Sequence, residues 1–135
     1  MQVKYIIIHC TATRGDKDFS LEQLRTLHVK HNGWRDIGYN YYIRKDGTLH
    51  GCRPLTMPGA HTKGYNDCSI GVCYEGGLAP DGSPSDTRTA AQKRTLELVL
   101  RTLRHIYPAA RICGHRDFSN KACPCFNAGA EYQDL

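Results

Sequence analysis

The sequence contains no long hydrophobic run, no internal repeat and no low-complexity segment. Its longest purely aliphatic stretch is the Ile-Ile-Ile of residues 6–8, whereas a helix that spans a membrane needs ~20 consecutive apolar residues. The amino terminus also lacks the basic and then apolar order of a secretory leader. We therefore expect a soluble protein with no membrane partner, synthesised in the cytoplasm without a signal peptide.

Length and composition are those of one ordinary globular domain. The 135 residues are 40% hydrophobic, and 18 Lys and Arg outnumber 13 Asp and Glu, which gives a formal net charge of +5. A domain of this size buries about two thirds of the surface that its unfolded chain exposes, so it can build a core without disulfides. These values argue against collagen-like, coiled-coil and disordered chains. We predict a single domain over residues 1–135.

The positive charge is modest and spread along the chain. Such a distribution suits a polyanionic or wall-like partner but does not indicate a nucleic-acid surface, so we expect no nucleic-acid partner. Every apolar helix stripe has a place in the predicted core. We therefore expect a monomer.

Five of the seven cysteines fall into two groups. Cys10, Cys73 and Cys113 lie in apolar, strand-like runs, where a thiol usually behaves as a small buried hydrophobe. Cys123 and Cys125 lie in the loop sequence KACPCF, outside any periodic segment. We interpret most of the cysteines as reduced thiols, and the two loop cysteines need a separate explanation.

Apolar and β-branched residues predict five strands. Residues 3–9 are apolar on both faces, as in a central strand, and residues 68–74 and 110–113 are also strand-like. Residues 38–44 and 48–52 flank a Lys-Asp-Gly turn, which predicts an antiparallel hairpin.

Two capping boxes predict two helices. Ser20 and Gln23 begin a helix over residues 21–32, and Thr89 and Gln92 begin a second one. The residues expected on one face of the first helix are Leu21, Leu24, Leu27, His28 and His31. The apolar stripe of the second helix consists of Leu96, Val99, Leu100, Leu103 and Ile106. The basic face opposite this stripe is typical of a solvated helix surface.

The order of these elements predicts an α/β fold, in which a mixed central β-sheet is flanked by helices. Residues 78–88 are rich in Pro, Asp and Ser and are expected to form an exposed loop rather than a domain boundary. In sheets of this kind the functional site usually lies beyond the strand ends. The residues that follow the strands are therefore the informative ones.

Three side chains at such positions could bind a metal. His9 ends the first strand, His115 follows the last strand, and Cys123 lies in the loop after it. If the two strands are neighbours and their carboxyl ends lie together, both imidazoles reach one place and the loop can return the thiol. Two imidazoles and a thiolate suit zinc, with a fourth position open to water. Spacing alone is weak evidence, because seven His and seven Cys make accidental combinations easy. A histidine that ends an aliphatic strand, as His9 does, is by itself more often a core histidine.

Other residues compete for these roles. Cys125 is the alternative to Cys123, whereas Cys10 should point away from His9 because a strand alternates its faces. His28 and His31 have metal-compatible spacing but share a helix face with leucines, which favours packing. Asp117 either orients His115 or is simply solvated. The bulky aromatic residues expected in the core or along a groove are Trp34, Tyr41 and Tyr42.

Four motifs occur in one order over about residues 3–126. They are IIIHCTAT, GWRDIGYNYYIRKDG, GAHTKGYNDCSIGVCYEGG and CGHRDFSNKACPCF. Together they resemble the zinc-dependent N-acetylmuramoyl-L-alanine amidases of the phage-lysozyme and peptidoglycan-recognition-protein family. The likeness covers nearly the whole chain.

The resemblance implies a role for six residues. The implied ligands of a single Zn²⁺, which also keeps one water, are His9, His115 and Cys123. The implied catalytic residues are Tyr39 and Lys121, and the implied substrate-groove residue is His61. A Lys ammonium can stabilise an oxyanion and a Tyr hydroxyl can orient water, but which of the two shuttles the proton stays open.

The resemblance also implies the reaction, which is hydrolysis of the amide bond between the lactyl group of N-acetylmuramic acid and L-alanine of the stem peptide. The partner would be peptidoglycan, reached in the bacterial cell wall after release from the cytoplasm. One alternative is a non-catalytic peptidoglycan-binding module. Another is a zinc-stabilised protein with a closed site of four ligands, one of them Cys125.

Overall fold

The computed structural model describes residues 1–135 and contains seven strands. In chain order they are β1 (Tyr5–Cys10), β2 (Thr13–Arg14), β3 (Tyr41–Ile43), β4 (Leu49–Gly51), β5 (Ser69–Tyr74), β6 (Gly77–Leu78) and β7 (Arg111–Gly114). The main sheet has the order β4-β3-β5-β1-β7, and β2 pairs with β6 in a separate ribbon. The main-sheet pairs are parallel except for the β3–β4 hairpin. The expected mixed sheet is confirmed.

Three α-helices complete the fold. They are α1 (Leu21–Arg25), α2 (Ala90–Ile106) and α3 (Ala128–Glu131). Short 3₁₀ turns lie at Asn66–Cys68 and His115–Asp117. Both predicted capping boxes are formed, at the starts of α1 and α2. The longest helix has 17 residues, and no helix combines the length and hydropathy that crossing a bilayer requires.

The sheet separates two apolar clusters. On one face, side chains of β1 and β5 pack with α2, and this larger cluster includes Ile6, Ile8, Val72, Leu96 and Leu100. On the other face, a smaller cluster lies beneath α1 and consists of Leu24, Ile37, Tyr42 and Cys73. Helices therefore flank the sheet, as expected, and the central strands are buried on both sides.

The first helix differs from its prediction. The α-helix ends at Arg25 and continues as a π-helical segment, Thr26–His31. The wider turn breaks the 3.6-residue period, so Leu27 is 40% exposed and His31 is exposed as well. Both were expected on the packed face, and only His28 of the last turn is buried.

Three other features of the fold differ from the sequence-based predictions. The hairpin strands are shorter than expected, because residues 38–40 form a loop in which the amide N–H of Asn40 donates to the carbonyl of Gly71. The β2–β6 ribbon was not predicted, because two-residue strands carry no periodic pattern. Ile106 is 50% exposed at the end of α2 and does not extend the buried stripe.

Packing of α2 against the sheet gives the first prediction. Leu100 is fully buried, whereas Leu98 on the same helix is 67% exposed. We expect Leu100→Ala to lower the free energy of unfolding by about 2–5 kcal/mol because it leaves a cavity. Leu98→Ala is the matched control and should change it by less than about 0.5 kcal/mol. Chemical denaturation measures both, and equal effects would contradict this packing.

The buried imidazole of His28 gives a pH prediction. Its Nδ1 accepts a hydrogen bond from the Gly38 N–H at 2.9 Å, and burial, helped by Arg53, lowers the pKa of His28 to about 4. Between its ordinary pKa of about 6.5 and this value, the unfolded state binds a proton that the folded state does not. Stability contributed by His28 is therefore present above pH 6.5 and is lost as the pH falls.

We expect His28→Gln to reduce the pH dependence of stability between pH 6.5 and 4.5 in metal-free protein. The slope should fall by up to roughly 1.4 kcal/mol per pH unit, the value for one proton. The exposed His31→Gln is the control and should leave the slope unchanged. Denaturation at several pH values measures the slope, and an unchanged slope in His28→Gln would contradict the assignment.

Candidate metal centre

His9 and His115 come together because their strands are parallel neighbours. Ile8 of β1 is paired with Gly114 of β7, so the residue after each of them lies at the same edge of the sheet. The ring centroids of the two histidines are 4.6 Å apart. The expectation that these strands are adjacent, with their carboxyl ends together, is confirmed.

Cys123 returns to the two histidines from the loop after β7. Its Sγ lies 3.9 Å from Nδ1 of His9 and accepts a hydrogen bond from the N–H of Cys10 at 3.2 Å. One ligand atom from each of His9, His115 and Cys123 lies within 4.8 Å of the others. Two imidazole nitrogens and one sulfur form the donor set of a zinc site with an open position, so these residues fit the metal.

The loop that carries Cys123 is fixed at three points. The Cys123 carbonyl accepts from the Arg116 N–H at 2.7 Å, and the Pro124 carbonyl accepts from the Tyr74 hydroxyl at 2.7 Å. A Cβ at Gly114 would lie 2.7 Å from Cδ of Pro124. The absence of a side chain at Gly114 therefore lets the loop pack against the end of β7.

Cys125 lies apart from this group. Its Sγ is 3.9 Å from Sγ of Cys10 and 3.2 Å from the Gly77 carbonyl oxygen. Cys10 is 4% exposed and belongs to the larger core cluster, against which Cys125 also packs. The structure thus brings Cys123 to the two histidines and brings Cys125 to the core thiol.

Tyr39 lies beside the histidines, on a loop that hydrogen bonds hold in place. Its ring centroid is 5.1 Å from that of His9, and its carbonyl accepts from the Arg53 N–H at 3.1 Å. The buried side chain of Asn40 accepts from the Gly71 N–H and donates to the carbonyl of Arg53. These bonds attach the Tyr39 segment to β5.

Lys121 lies in the loop between His115 and Cys123. It lines an open cleft of about 410 Å³, whose lining also includes Trp34, His61, Thr62 and His115. Lys121 is exposed and His115 is partly exposed, so a molecule in the cleft can reach both. Of the three donor residues, His115 is the one that lines this cleft.

Burial keeps the histidines of the site neutral. Burial, followed by His61 and His115, lowers the pKa of His9 well below its ordinary value. Burial and His115 lower the pKa of His61 to about 3, and burial and Lys121 lower the pKa of His115. A neutral imidazole is the form that ligates a metal. Burial also raises the pKa of Tyr39, so its hydroxyl stays protonated at neutral pH.

His61 lines the cleft and also contacts His9 directly. Its Nδ1 is 2.9 Å from Nε2 of His9 and 2.9 Å from the Thr62 hydroxyl. The Asn66 side chain accepts from the backbone N–H groups of His61 and Thr62, both at 2.9 Å. Sequence reasoning missed Thr62 and Asn66, because only their place in the GAHTKGYN motif marks them.

Asp117 does not contact His115 through its carboxylate. That carboxylate accepts from the Gly114 N–H at 2.9 Å and so caps the 3₁₀ turn His115–Asp117. The role of Asp117 is therefore local, in the backbone of the site.

Two of the bulky aromatic residues lie where they were expected. Trp34 lines the cleft and Tyr42 is fully buried.

Comparisons with known proteins agree with this geometry. The sequence profile of the family described as N-acetylmuramoyl-L-alanine amidase matches residues 1–126. The endolysin of Enterobacteria phage K11 is 40% identical over 126 residues, which cover 93% of this chain and 83% of the endolysin.

Solved structures are similar over almost the whole chain. LysC, an N-acetylmuramoyl-L-alanine amidase from Clostridium intestinale URNW, has a TM-score of 0.81 at 29% identity and covers 98% of this chain and 83% of its own. A mutant of Drosophila PGRP-LB in complex with tracheal cytotoxin has a TM-score of 0.72 at 26% identity, over 99% of this chain and 82% of its own. The chain belongs to the N-acetylmuramoyl-L-alanine amidase family.

Proposed function

We propose that the chain is a zinc-dependent enzyme that hydrolyses the amide bond between the lactyl group of N-acetylmuramic acid and L-alanine in peptidoglycan. The observation that carries the proposal is the meeting of His9, His115 and Cys123 within 4.8 Å, with His115 in the lining of the cleft. The similarity to a phage endolysin and to the amidase LysC supports the reaction. The similarity to PGRP-LB bound to tracheal cytotoxin supports a muropeptide ligand.

His9, His115 and Cys123 would hold the metal. Bound Zn²⁺ supplies a Lewis acid for the amide carbonyl and lowers the pKa of a water molecule toward about 7. The thiolate of Cys123 reduces the net charge of the centre to +1. Burial of His9 and the hydrogen bond from the Cys10 N–H to the sulfur help to keep the donor atoms in place.

Lys121 and Tyr39 would act on the substrate. The ammonium of Lys121 lies at the cleft beside His115, where it can stabilise the negative charge that develops on the carbonyl oxygen. The protonated hydroxyl of Tyr39 can orient the attacking water. Either group can deliver the proton to the leaving amine. His61, in the wall of the cleft, would contact the stem peptide.

The cell wall would be the place of action, and residues 1–135 would work as one monomeric domain. Mass spectrometry of purified wall fragments tests the reaction, because hydrolysis of this bond leaves a free L-alanine amino group and an intact lactyl carboxylate. Loss of these products with a chelator, and their return with Zn²⁺, is the expected result. Binding to the wall without products would instead indicate the non-catalytic module.

Replacing each of the two loop cysteines by alanine tests which of them binds the metal. We expect Cys123→Ala to lose zinc and wall-lytic activity together, because it removes the sulfur that lies with the two histidines. Cys125→Ala is the matched control and should keep both, because its thiol lies against Cys10. Elemental analysis and product release measure the two properties. Full activity in Cys123→Ala, or loss of zinc in Cys125→Ala, would contradict the assignment.

Lys121 should matter for the rate but not for the metal. We expect Lys121→Ala to keep stoichiometric zinc and to lose about 10²–10³ in kcat, the usual effect of removing one group that stabilises an oxyanion. Lys93→Ala, on α2 and outside the cleft lining, controls for loss of a surface charge. A decrease of less than about threefold in Lys121→Ala would remove Lys121 from the mechanism.

A further inference from the structure

A chain of hydrogen bonds runs behind His9, away from the candidate metal position. Nε2 of His9 is 2.9 Å from Nδ1 of His61, and Nε2 of His61 is 3.4 Å from the hydroxyl oxygen of Ser69. The Ser69 hydroxyl in turn lies 2.6 Å from the carbonyl oxygen of Tyr65. The chain therefore connects four groups, from the carbonyl of Tyr65 through Ser69 and His61 to His9, which is a proposed metal ligand.

The direction of this chain follows from its last member. A carbonyl oxygen can only accept, so the single hydroxyl proton of Ser69 must lie between Ser69 and Tyr65. At 2.6 Å, two oxygens without a proton between them would repel each other. The Ser69 oxygen can then only accept from His61. This favours the tautomer of His61 that carries its proton on Nε2.

The same assignment of donors and acceptors extends to His9. When His61 carries its proton on Nε2, its Nδ1 has only a lone pair and can accept from His9 or from the Thr62 hydroxyl, both 2.9 Å away. Two nitrogen lone pairs at 2.9 Å would repel each other, which favours a proton on Nε2 of His9 and leaves its Nδ1 free. That free nitrogen is the atom that lies 3.9 Å from Sγ of Cys123. Thr62 joins the same pair, with its hydroxyl 3.2 Å from Nε2 of His9.

Two glycines make room for the His61 ring. A Cβ at Gly71 would lie 2.8 Å from the ring atoms of His61, and a Cβ at Gly59 would lie 2.5 Å from its Cδ2. Any other residue at these positions would displace the imidazole from His9 or from Ser69. The ring is therefore packed closely against these backbone segments, while it also lines the cleft.

We propose that His61 and Ser69 are positioning residues, which fix the tautomer of His9 so that its Nδ1 is free on the side of Cys123. The inference rests on the proposed function for the identity of the metal, but not for the tautomers. In a metal site, such hydrogen bonds to the second nitrogen of a ligating His set its orientation, and their loss typically lowers metal affinity 10–100-fold. Ser69 acts at a distance, through His61, without touching a ligand atom.

The test uses long-range ¹H–¹⁵N correlation spectra of metal-free protein with ¹⁵N-labelled histidine at pH 8. We expect His9 and His61 both to carry their protons on Nε2. In Ser69→Ala, the acceptor for His61 is gone, so the Nδ1-protonated forms of His61 and His9 should increase. The Kd for Zn²⁺, measured by competition with a chromophoric chelator, should rise 10–100-fold.

Two controls separate this role from a general loss of stability. Ser69→Thr keeps the hydroxyl and should restore the tautomers and the zinc affinity. Thr95→Ala removes a hydroxyl that donates to the Gly47 carbonyl far along the chain, and it should change neither. If Ser69→Ala fails to fold, the tautomers of His9 and His61 in the unaltered protein and in Ser69→Thr still test the positioning role.

The outcomes distinguish this inference from the proposed function. A proton on Nδ1 of His9 in the unaltered protein, or unchanged tautomers and Kd in folded Ser69→Ala, would overturn the positioning role. If the tautomers are as expected but the unaltered protein binds no zinc, the proposed metal centre fails and the hydrogen-bond chain stands.

Discussion

The parallel pairing of β1 with β7 is the constraint on which the rest of the site depends. Its register places Ile8 opposite Gly114, and the residue that follows each of them is a histidine. Backbone hydrogen bonds of the sheet hold this register, and a shift by one residue would send every side chain of β1 to the other face. The two imidazoles are therefore placed by the pairing of these strands, and the loop has to deliver only one further donor.

Alternation along β1 lets one strand serve the core and the site. Ile6, Ile8 and Cys10 belong to the cluster that packs with α2. His9 points to the opposite face, where its ring lies beside those of Tyr39, His61 and His115. The backbone N–H of Cys10 reaches the sulfur of Cys123, so the strand supplies one side chain and one backbone donor to the same centre. This explains how a short chain can hold three donor atoms together: two of the contacts come from the edge of a sheet that the core already fixes.

Much of this arrangement could be predicted from the sequence, and the remainder depends on contacts that no local pattern records. Strands, capped helices and the approach of His9 to His115 follow from periodicity and from the rule that parallel neighbours share an edge. The choice of Cys123 over Cys125 came from family resemblance alone, because it depends on how Pro124 packs against Gly114. The link from Ser69 to His61 was missed, since hydroxyl partners leave no periodic signal.

Burial around the site is asymmetric, so the site has a buried side and a solvent-exposed side. His9 is 2% exposed and is backed by His61 and Ser69, whereas His115 is partly exposed and Lys121 is exposed. The buried side carries neutral hydrogen-bond partners, which can fix a tautomer because hydrogen bonds are stronger in surroundings of low polarity. The exposed side carries ammonium groups, those of Lys63 and Lys121, which line the cleft together with His115. His61 connects the two sides, because it lines the cleft and also contacts His9, whereas Ser69 is fully buried and acts from behind it.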